Sequence, residues 1–405
     1  MTEHVRVVVI GGGIVGCAVL YGLAQRGWTD AVLLERRQLT SGSTWHAAGN
    51  TTYFGPYPAM TRLLTSSIAT YLQAEAETDH AVGFHQTGSL RLAATEADMA
   101  AYRALVPFYD KMNIPYHVIS PAAAQAAHPL LNVSGIIGAA HTPTDGHVDA
   151  TGATHAMAKA ARKLGATIRT ETPVLRIADA SPGWRVTTAT GDILADNIVL
   201  AASFWTRELA AQIGLNLPLY ALQHHEIITG PVAELADLDR ELPTVRDPTA
   251  PANIRQEQDG FLCGVYEQGP KFWGTDGIPE HFAEELLPPE LDRLTPELER
   301  VIARIPAFGT AGVKAVNNGP ICYTPDGVPM LGPVAGRAGL WLASGFTIGI
   351  GTGGGAGQFL ADWMVSGNPP YDLPAVHPSR FQGALSRAKV LSQIKNTYER
   401  GYAMT

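Results

Sequence analysis

The sequence predicts an α/β protein with two domains, the first of which is a Rossmann-like domain that binds a dinucleotide. Two strand–glycine–helix units, one at each end of the chain, indicate this class, as do β-branched runs typical of a parallel sheet buried on both faces. A chain of 405 residues is also too long for one simple core, so a second domain is expected.

Composition and charge narrow the class of protein further. The chain is 46% hydrophobic and 16% charged, which is typical of a globular protein. Its formal net charge is -8 and it has no basic block, so nucleic acid is not an expected partner. Cys17, Cys263 and Cys322 lie far apart, without metal-ligand or disulfide-framework spacing. We therefore expect a protein of the reducing cytoplasm without a metal site.

The stretch from Val7 to Ala24 has two interpretations. It carries no charge and follows Arg6, a pattern shared with signal peptides and membrane spans. However, it is short for a span, several glycines interrupt it, and no small-residue cleavage site follows. The pattern favours a buried strand, turn and helix, and no membrane span is expected.

The same stretch contains the first strand–glycine–helix unit. Strands are predicted at Arg6–Ile10 and Ala31–Leu34, with a helix at Cys17–Arg26 between them and an acid, Glu35, after the second strand. The intervening GGGIVG at residues 11–16 matches the G-x-G-x-x-G fingerprint of dinucleotide binding. This fingerprint alone does not separate FAD from NAD.

Each residue type in the fingerprint has a physical task. The first glycine permits the tight turn, the second lets the backbone approach a pyrophosphate, and the third lets the helix pack on the strand. The helix N-terminus presents amide groups to the phosphates, and the acid is expected to bind the adenosine ribose. The predicted nucleotide contacts here are Gly11, Gly13, Ile14, Val15, Gly16, Glu35 and Arg36.

A second motif follows the nucleotide unit. Residues 40–49 read TSGSTWHAAG, and residues 51–54 read TTYF. This stretch resembles the signature of the dimethylglycine and sarcosine dehydrogenase family of FAD-dependent oxidoreductases. The resemblance implies FAD, bound covalently through its 8α-methyl group to His46. Small residues beside the histidine would let the backbone approach the flavin; the expected contacts are Gly42, Ser43, Thr44, His46, Ala47 and Ala48.

The wider resemblance, to glycine-oxidase-like flavoproteins, implies more of the architecture. The second domain is then α+β and built on an antiparallel sheet. Val174 is expected at the adenine and Ala202 near the flavin, and Trp205 is a further predicted cofactor contact. The glycine-rich turn at 344–355, followed by a helix at 356–365, is expected to face the flavin pyrimidine edge, where a helix N-terminus favours negative charge. Its predicted contacts are Gly345, Phe346, Gly349 and Ile350.

Domain boundaries follow from the order of these segments. The FAD-binding domain is predicted to be discontinuous, at 1–82, 141–216 and 315–372. The substrate domain is predicted at 83–140 and 217–314 and includes a helix at His281–Ile305 that covers it. A tether and a basic helix, Arg380–Arg400, are predicted within 373–405.

The substrate site is expected in the second domain. By resemblance, His224 faces the substrate, and we interpret it as the group that accepts a proton from the bound ammonium. Arg255 and Arg91 are candidates to bind a substrate carboxylate, since a guanidinium matches two oxygens, although either could form a structural ion pair instead. His85 is a weaker polar candidate, for which a surface role is the simpler interpretation.

Two positions depart from the pattern of the family. Relatives usually carry tyrosine just before the RQE run at 255–257, where this chain has Ala252 and Asn253, and often leucine where it has Asn50. A missing phenol beside the substrate would change how the amine is held or deprotonated. The departures therefore leave the identity of the amine open.

The combined interpretation is oxidative N-demethylation of a small N-methylated amine or amino acid, with hydride transfer to flavin N5 and release of formaldehyde. Alternatives are oxidation of another secondary or tertiary amine, such as a cyclic N-methyl amino acid or 4-methylaminobutanoate, and a non-catalytic regulatory flavoprotein subunit. Oxygen or an electron-transfer protein would accept the electrons. Because many relatives continue into a tetrahydrofolate-binding domain, a separate folate-binding protein is a further possible partner.

Overall fold

The first strand of the computed structural model contributes side chains to two hydrophobic cores. Val7 and Val9 pack into one core, while Val8 and Ile10 pack into the other. Strand residues alternate between the two faces of a sheet, so this sheet is covered on both sides, as the β-branched run predicts. The structure describes residues 3–55, 57–381, 383 and 386–401.

The elements, in chain order, have the following bounds. The strands are β1 (Glu3–Ile10), β2 (Ala31–Leu34), β3 (Asn50–Thr51), β4 (Ser89–Ala93), β5 (His117–Ile119), β6 (Gly138–Thr142), β7 (Gly146–His147), β8 (Thr167–Arg169), β9 (Val174–Asp179), β10 (Trp184–Thr188), β11 (Gly191–Leu200), β12 (Tyr220–Thr229), β13 (Thr244–Asp247), β14 (Ala252–Glu257), β15 (Gly260–Val265), β16 (Phe272–Trp273), β17 (Val313–Tyr323), β18 (Met330–Pro333) and β19 (Leu340–Ser344). The helices are α1 (Ile14–Gln25), α2 (Pro58–Thr78), α3 (Glu96–Lys111), α4 (Pro121–Ala127), α5 (Ala150–Lys163), α6 (Thr206–Ala211), α7 (Thr295–Arg304), α8 (Pro306–Thr310), α9 (Gly349–Ser366) and α10 (Arg387–Glu399).

The first sheet is mainly parallel and has the order β18-β19-β11-β1-β2-β8, with β10 and β9 added antiparallel beside β11. Helix α1 packs against α5 and α9, and α2 packs against the same two helices, so these four form one layer on the sheet. The buried strand, turn and helix predicted at the start of the chain are confirmed. Among the described residues, no helix is both long and apolar enough to cross a membrane.

The second sheet is mainly antiparallel, with the order β16-β12-β15-β14-β13-β4-β6-β5 and β17 paired to β12. Helix α7 packs on one face, where Leu294 and Val301 join Ile227 of β12 in a core. The opposite face of β12 is turned toward the first sheet. Helix α10 packs beside β12 through Val390, Ile394 and Tyr398.

Strand β17 crosses one of the predicted domain boundaries, which lies between residues 314 and 315. The sequence assigns residues from 315 onward to the FAD-binding domain, yet Val313–Tyr323 pairs with β12 along its whole length. By hydrogen bonding, this segment belongs to the second sheet. The remaining bounds stay a prediction.

Helix α9 begins seven residues before its predicted start. The glycines at 349–357 suggest a turn, because glycine is a poor helix former, but the structure uses them for close packing. A Cβ on Gly355 would overlap the carbonyl oxygen of Leu63 in α2, and a Cβ on Gly357 would overlap the backbone of Ala18 in α1. The missing side chains let three helices approach one another.

The predicted helix at His281–Ile305 is wrong over its first half. Residues 281–290 form an irregular cover, and helical structure begins only near residue 291. The backbone amide of Glu284 donates to Ser41 O (2.9 Å) and that of Leu287 donates to Asn318 O (2.8 Å), so these groups bind other segments instead of a helix. Prolines at 288 and 289 also disfavour a helix here.

Candidate active site

A cavity of about 1060 Å³ lies between the two sheets. It extends from the glycine turn after β1 to the face of β12 that is turned toward the first sheet. Nearly all of the predicted cofactor contacts line it: Gly11, Gly13, Ile14, Val15, Glu35, Arg36, Gly42, Ser43, Thr44, His46, Ala47, Ala48, Val174, Ala202, Trp205, Gly345, Phe346, Gly349 and Ile350. Of the predicted substrate residues, His224 and Arg91 also line the cavity.

The glycine turn has the geometry of a phosphate site. Gly11 has φ of +116°, and a Cβ there would lie 2.5 Å from Ala201 O. Gly16 lies behind the cavity wall, where a Cβ would overlap Gly11 O. The N-cap residue of helix α1 is Gly13, which has no side chain to cap the helix amides. The Ile14 amide donates to Thr44 Oγ1 (3.2 Å), which leaves the Thr44 hydroxyl proton able to bind an anion.

The adjoining end of the cavity has the features of an adenosine site. The Glu35 carboxylate accepts from the Gly12 amide (2.7 Å) and the Arg37 amide (2.8 Å), which fixes its position after β2. Burial raises the pKa of Glu35, and those hydrogen bonds oppose the shift. The Arg36 guanidinium lies over the Trp205 ring, 5.1 Å from its centroid. These groups offer hydrogen bonds and an aromatic surface to a nucleoside.

His46 lies at the centre of the cavity wall. The residue is half-buried, and desolvation of its imidazole lowers its pKa to about 4. Its Nε2 atom has no hydrogen-bond partner among the described residues. The ring rests on the backbone of Gly319 in β17, where a Cβ would come within 3.0 Å of three ring atoms. A neutral imidazole with a free nitrogen is a competent nucleophile.

The loop that carries His46 is held by the second sheet. Arg255 of β14 donates from Nε to Ala48 O (3.0 Å), and the Ala48 amide hydrogen-bonds the carboxylate of Glu226 in β12. The Ser43 hydroxyl donates to Pro320 O in β17 (3.2 Å). Three strands of the second sheet therefore position the loop of the first domain.

These contacts change the interpretation of Arg255. Its guanidinium is paired with Glu257 (2.6 Å) and also donates to Gln256 O (2.9 Å), and the residue is not among those lining the cavity. The guanidinium is thus engaged in holding the loop and is not placed to bind a substrate carboxylate. The structural alternative raised from the sequence fits the geometry.

His224 is placed as expected but has an unexpected environment. Its Nδ1 lies 2.9 Å from the hydroxyl of Tyr398 in α10, which in turn donates to Glu267 (2.7 Å). Burial, with smaller contributions from His225 and His46, lowers the pKa of His224 to about 3. The imidazole therefore stays neutral above that pH, and its role as a proton acceptor stays a prediction.

A row of residues across the second sheet forms the floor beside His224. Glu226 of β12 pairs with Asn317 of β17 on one side and with Gly264 of β15 on the other, and Gly264 pairs with Asn253 of β14. All except Gly264 line the cavity. The Asn50 amide donates to Asn253 Oδ1 (3.0 Å). The two departures from the family pattern are therefore in contact.

The cavity fits FAD. Helix α9, like α1, begins at the cavity without a cap from its N-cap side chain, so two helix N-termini face the same space. The N-terminus of α1 suits a pyrophosphate, and that of α9 suits a flavin ring that gains negative charge on reduction. Gly319 shapes the wall against which the His46 ring packs, and the Nε2 atom of that ring has no hydrogen-bond partner among the described residues.

Comparison with known proteins agrees with this geometry. The family profile described as FAD dependent oxidoreductase matches residues 6–363. This chain belongs to that family. It is 41% identical to mouse mitochondrial dimethylglycine dehydrogenase over 94% of this chain and 44% of the relative. It is 34% identical to the formaldehyde-forming 4-methylaminobutanoate oxidase of Paenarthrobacter nicotinovorans over 100% of this chain and 49% of the relative. The chain thus spans about half the length of these relatives.

A solved structure gives the same fold for this FAD-dependent oxidoreductase. L-Proline dehydrogenase from P. horikoshii superposes with a TM-score of 0.82 at 26% identity, covering 94% of this chain and 99% of that one. The predicted fold class and the predicted resemblance to dimethylglycine dehydrogenase are confirmed. FAD is accordingly the cofactor of the family to which the chain belongs.

The remaining candidates lie on β4 and the loop before it. Arg91 lines the cavity and lies over the Phe54 ring, 4.0 Å from its centroid. Arg246, which the sequence analysis missed, lines the same region on the neighbouring strand β13 and lies 3.9 Å from the buried Asp145. The two guanidinium groups therefore come from paired positions on β4 and β13 and line one cavity.

His85 has a different environment. It lies outside the set of cavity-lining residues and forms an ion pair with Glu241 (2.7 Å), while its ring stacks on His147 with centroids 4.8 Å apart. The ligand atoms of these three side chains lie within 4.8 Å of one another, a cluster not predicted from the sequence. The ion pair accounts for the position of His85 without a metal.

Proposed function

We propose that this FAD-dependent oxidoreductase oxidises a small N-methylated amine or amino acid at its N-methyl carbon, with the flavin attached covalently to His46. The observation that carries the proposal is a single cavity, in which the unpartnered Nε2 of His46 lies beside a polar row on β12. The similarity to mouse dimethylglycine dehydrogenase and to 4-methylaminobutanoate oxidase supports the substrate class.

The chemistry divides between cofactor and protein. Bound FAD supplies the acceptor for a hydride from the methyl carbon, and the protein supplies orientation and electrostatics. The substrate nitrogen must be neutral, because its lone pair forms the C=N bond as the hydride leaves. The resulting iminium adds water and separates into formaldehyde and the demethylated amine. His224, held by Tyr398, fixes one wall of the space in which the amine is oriented.

The cavity also suits a substrate that carries a carboxylate. Arg91 and Arg246 lie on neighbouring strands and line the cavity, and a guanidinium binds a carboxylate with two hydrogen bonds. An N-methyl amino acid would place its carboxylate toward these arginines and its amine toward β12. The length between the two ends would select among dimethylglycine, a cyclic N-methyl amino acid and 4-methylaminobutanoate.

The activity is tested by anaerobic flavin reduction. The protein with FAD is mixed with dimethylglycine, sarcosine, N-methylproline and 4-methylaminobutanoate, and the flavin absorbance and formaldehyde are measured. We expect at least one substrate to bleach the flavin and to give one formaldehyde per flavin reduced. If no amine in a broad panel bleaches it, the enzymatic proposal fails and the non-catalytic alternative is favoured. Adding oxygen or an electron-transferring flavoprotein to reduced enzyme then identifies the acceptor.

The covalent bond is tested separately. Denatured wild-type protein is expected to show flavin fluorescence on a gel, whereas His46→Ala is expected to lose that fluorescence and still bind FAD through α1 and Glu35. His224→Ala is a matched histidine control in the same cavity and should keep the fluorescence. Release of all flavin from the wild type by acid would contradict the bond.

A further inference from the structure

Glu226 is a carboxyl group in the cavity with no role so far beyond its bond to Ala48. It lies two residues from His224 on β12, so both side chains are on the same face of the strand and both line the cavity. His225, between them, lies on the other face, where its Nε2 accepts from the Glu290 amide (3.2 Å). Two residues along a strand span about 7 Å, which is the size of a small amine.

One oxygen of Glu226 lacks a hydrogen bond within the described part of the chain. The side chain is buried, and the Ala48 amide hydrogen-bonds the carboxylate. Its Oε2 is buried and has no partner among the described residues. A buried polar atom without a partner is costly. Its position in a ligand cavity indicates that the substrate supplies the missing hydrogen bond.

Charged and titratable groups lie near Glu226 on β14, on β15 and on β12 itself. Arg255 of β14 favours its ionised form, and Glu257 of the same strand opposes it. On β15 the buried thiol of Cys263 stays protonated, because burial and the charge of Glu226 raise its pKa. On β12 itself, the low pKa of His224 keeps that imidazole neutral. Burial outweighs the charge of Arg255 and raises the pKa of Glu226 to about 7.

We propose that Glu226 binds the ammonium group of the substrate and accepts its proton. The inference rests on the proposed function and adds the group that makes the amine reactive. One N–H bond of the ammonium breaks, an O–H bond forms at Oε2, and the nitrogen keeps the electron pair. The ionised carboxylate and the ammonium are thereby converted into a neutral acid and a neutral amine, so no net charge stays buried.

The assignment also defines a substrate class. The ligand is an amine that is protonated in water, as an alkylammonium with a pKa of about 10 is, and it enters as a cation. The row beside Glu226 is polar, because it contains Asn317 and Asn253, and the Asn253 amide packs over Gly264, which has no side chain. An amine whose nitrogen carries a polar substituent fits this floor better than a purely apolar amine.

The experiment compares the pH dependence of anaerobic flavin reduction in the wild type and in Glu226→Gln, using the best substrate from the panel. The wild-type rate constant is expected to fall as the pH drops below the pKa of Glu226. The variant is expected to lose about 10²- to 10⁴-fold near neutral pH. The rate of the variant should recover as the pH approaches the pKa of the substrate ammonium, since the neutral amine then enters the site directly.

Controls separate this role from a structural one. Glutamine keeps an oxygen for the Ala48 amide. Glu299→Gln, at an exposed position of α7, is the matched control and is expected to keep the wild-type profile. Flavin content should equal the wild type in both. Without substrate, the infrared absorption of a protonated carboxyl group should titrate near neutral pH in the wild type and be absent in Glu226→Gln. In Glu226→Asp, the rate of flavin reduction should still fall at acidic pH.

The outcomes are distinct from failure of the proposed function. If no amine reduces wild-type flavin, the function itself fails. If the wild type is reduced and Glu226→Gln keeps both its rate and its acid limb, the role of Glu226 is wrong. A loss of rate that is equal at every pH would likewise overturn proton transfer, because it would show damage to the site without any change in titration.

Discussion

Replacing Gly319 by alanine tests whether the backbone of β17 positions His46. An alanine Cβ would come within 3.0 Å of the Cε1, Nδ1 and Nε2 atoms of His46, where ordinary contact begins at 3.4 Å. The imidazole must therefore retreat by about 1 Å to restore normal contact. Overpacking of this kind costs about 1–3 kcal/mol of folding free energy. A displacement of about 1 Å also slows a positioned reaction by on the order of 10²-fold.

The assay follows attachment over time. FAD is added to flavin-free wild-type protein and to Gly319→Ala, samples are denatured at intervals, and gel fluorescence is measured together with FAD binding before denaturation. We expect FAD binding within a few-fold of the wild type and attachment slowed by about two orders of magnitude. Attachment at the wild-type rate would refute the view that Gly319 sets the position of the imidazole.

A double-mutant cycle isolates the contact. In His46→Ala, the space above Gly319 is vacated, so adding Gly319→Ala should cost little stability. The coupling free energy between the two changes should then be about 1–3 kcal/mol in urea unfolding. If Gly319→Ala lowered the free energy of unfolding equally in the wild type and in His46→Ala, the strain would lie elsewhere in β17.

Three further changes test the scaffold. Gly355→Ala should lower the midpoint of thermal unfolding by several degrees, because its Cβ overlaps Leu63 O and forces α9 away from α2; an unchanged midpoint would contradict the packing. Asp247→Asn should cost about 3–5 kcal/mol in urea unfolding, since it leaves Arg304, now bonded at 2.6 Å, buried without a counter-charge; a cost below about 1 kcal/mol, typical of an exposed pair, would argue against burial. Burial lowers the pKa of His128 from 6.5 to about 4, so the unfolded state binds the extra proton and the free energy of unfolding should fall as pH drops from 6.5 toward 4. His128→Leu should reduce that slope, and an unchanged slope would show that other groups cause it.

Much of the nucleotide half was predictable because its signals are local. The strand, glycine turn and helix at the start of the chain lie within one short segment, and the tasks predicted for Gly11 and Glu35 were inferred from that segment. Helix α9 shows the limit of such signals. A run of glycines has poor intrinsic helix propensity, and only the approach of Leu63 and Ala18 explains why these residues are nevertheless helical.

The substrate half was less predictable because its contacts depend on strand register. Gly319 lies beneath His46 only because β17 pairs with β12 in one particular register, in which it is opposite His224. Arg255 has the right chemistry for a carboxylate, but its pairing with Glu257 directs it to other partners. Glu226 lies in no sequence motif. Only the structure shows that one of its carboxylate oxygens is buried without a partner among the described residues.

The anchorage of Ala48 by β12 and β14 has a consequence for how the holoprotein matures. The segment that bears His46, the proposed attachment residue, belongs by sequence to the nucleotide half, yet residues of the other half hold it in place. Flavin captured early by a partly folded chain would remain exchangeable until both sheets had met. The covalently attached fraction of the flavin would then measure the fraction of molecules that have completed folding. Flavin fluorescence after denaturation would report this fraction for a preparation.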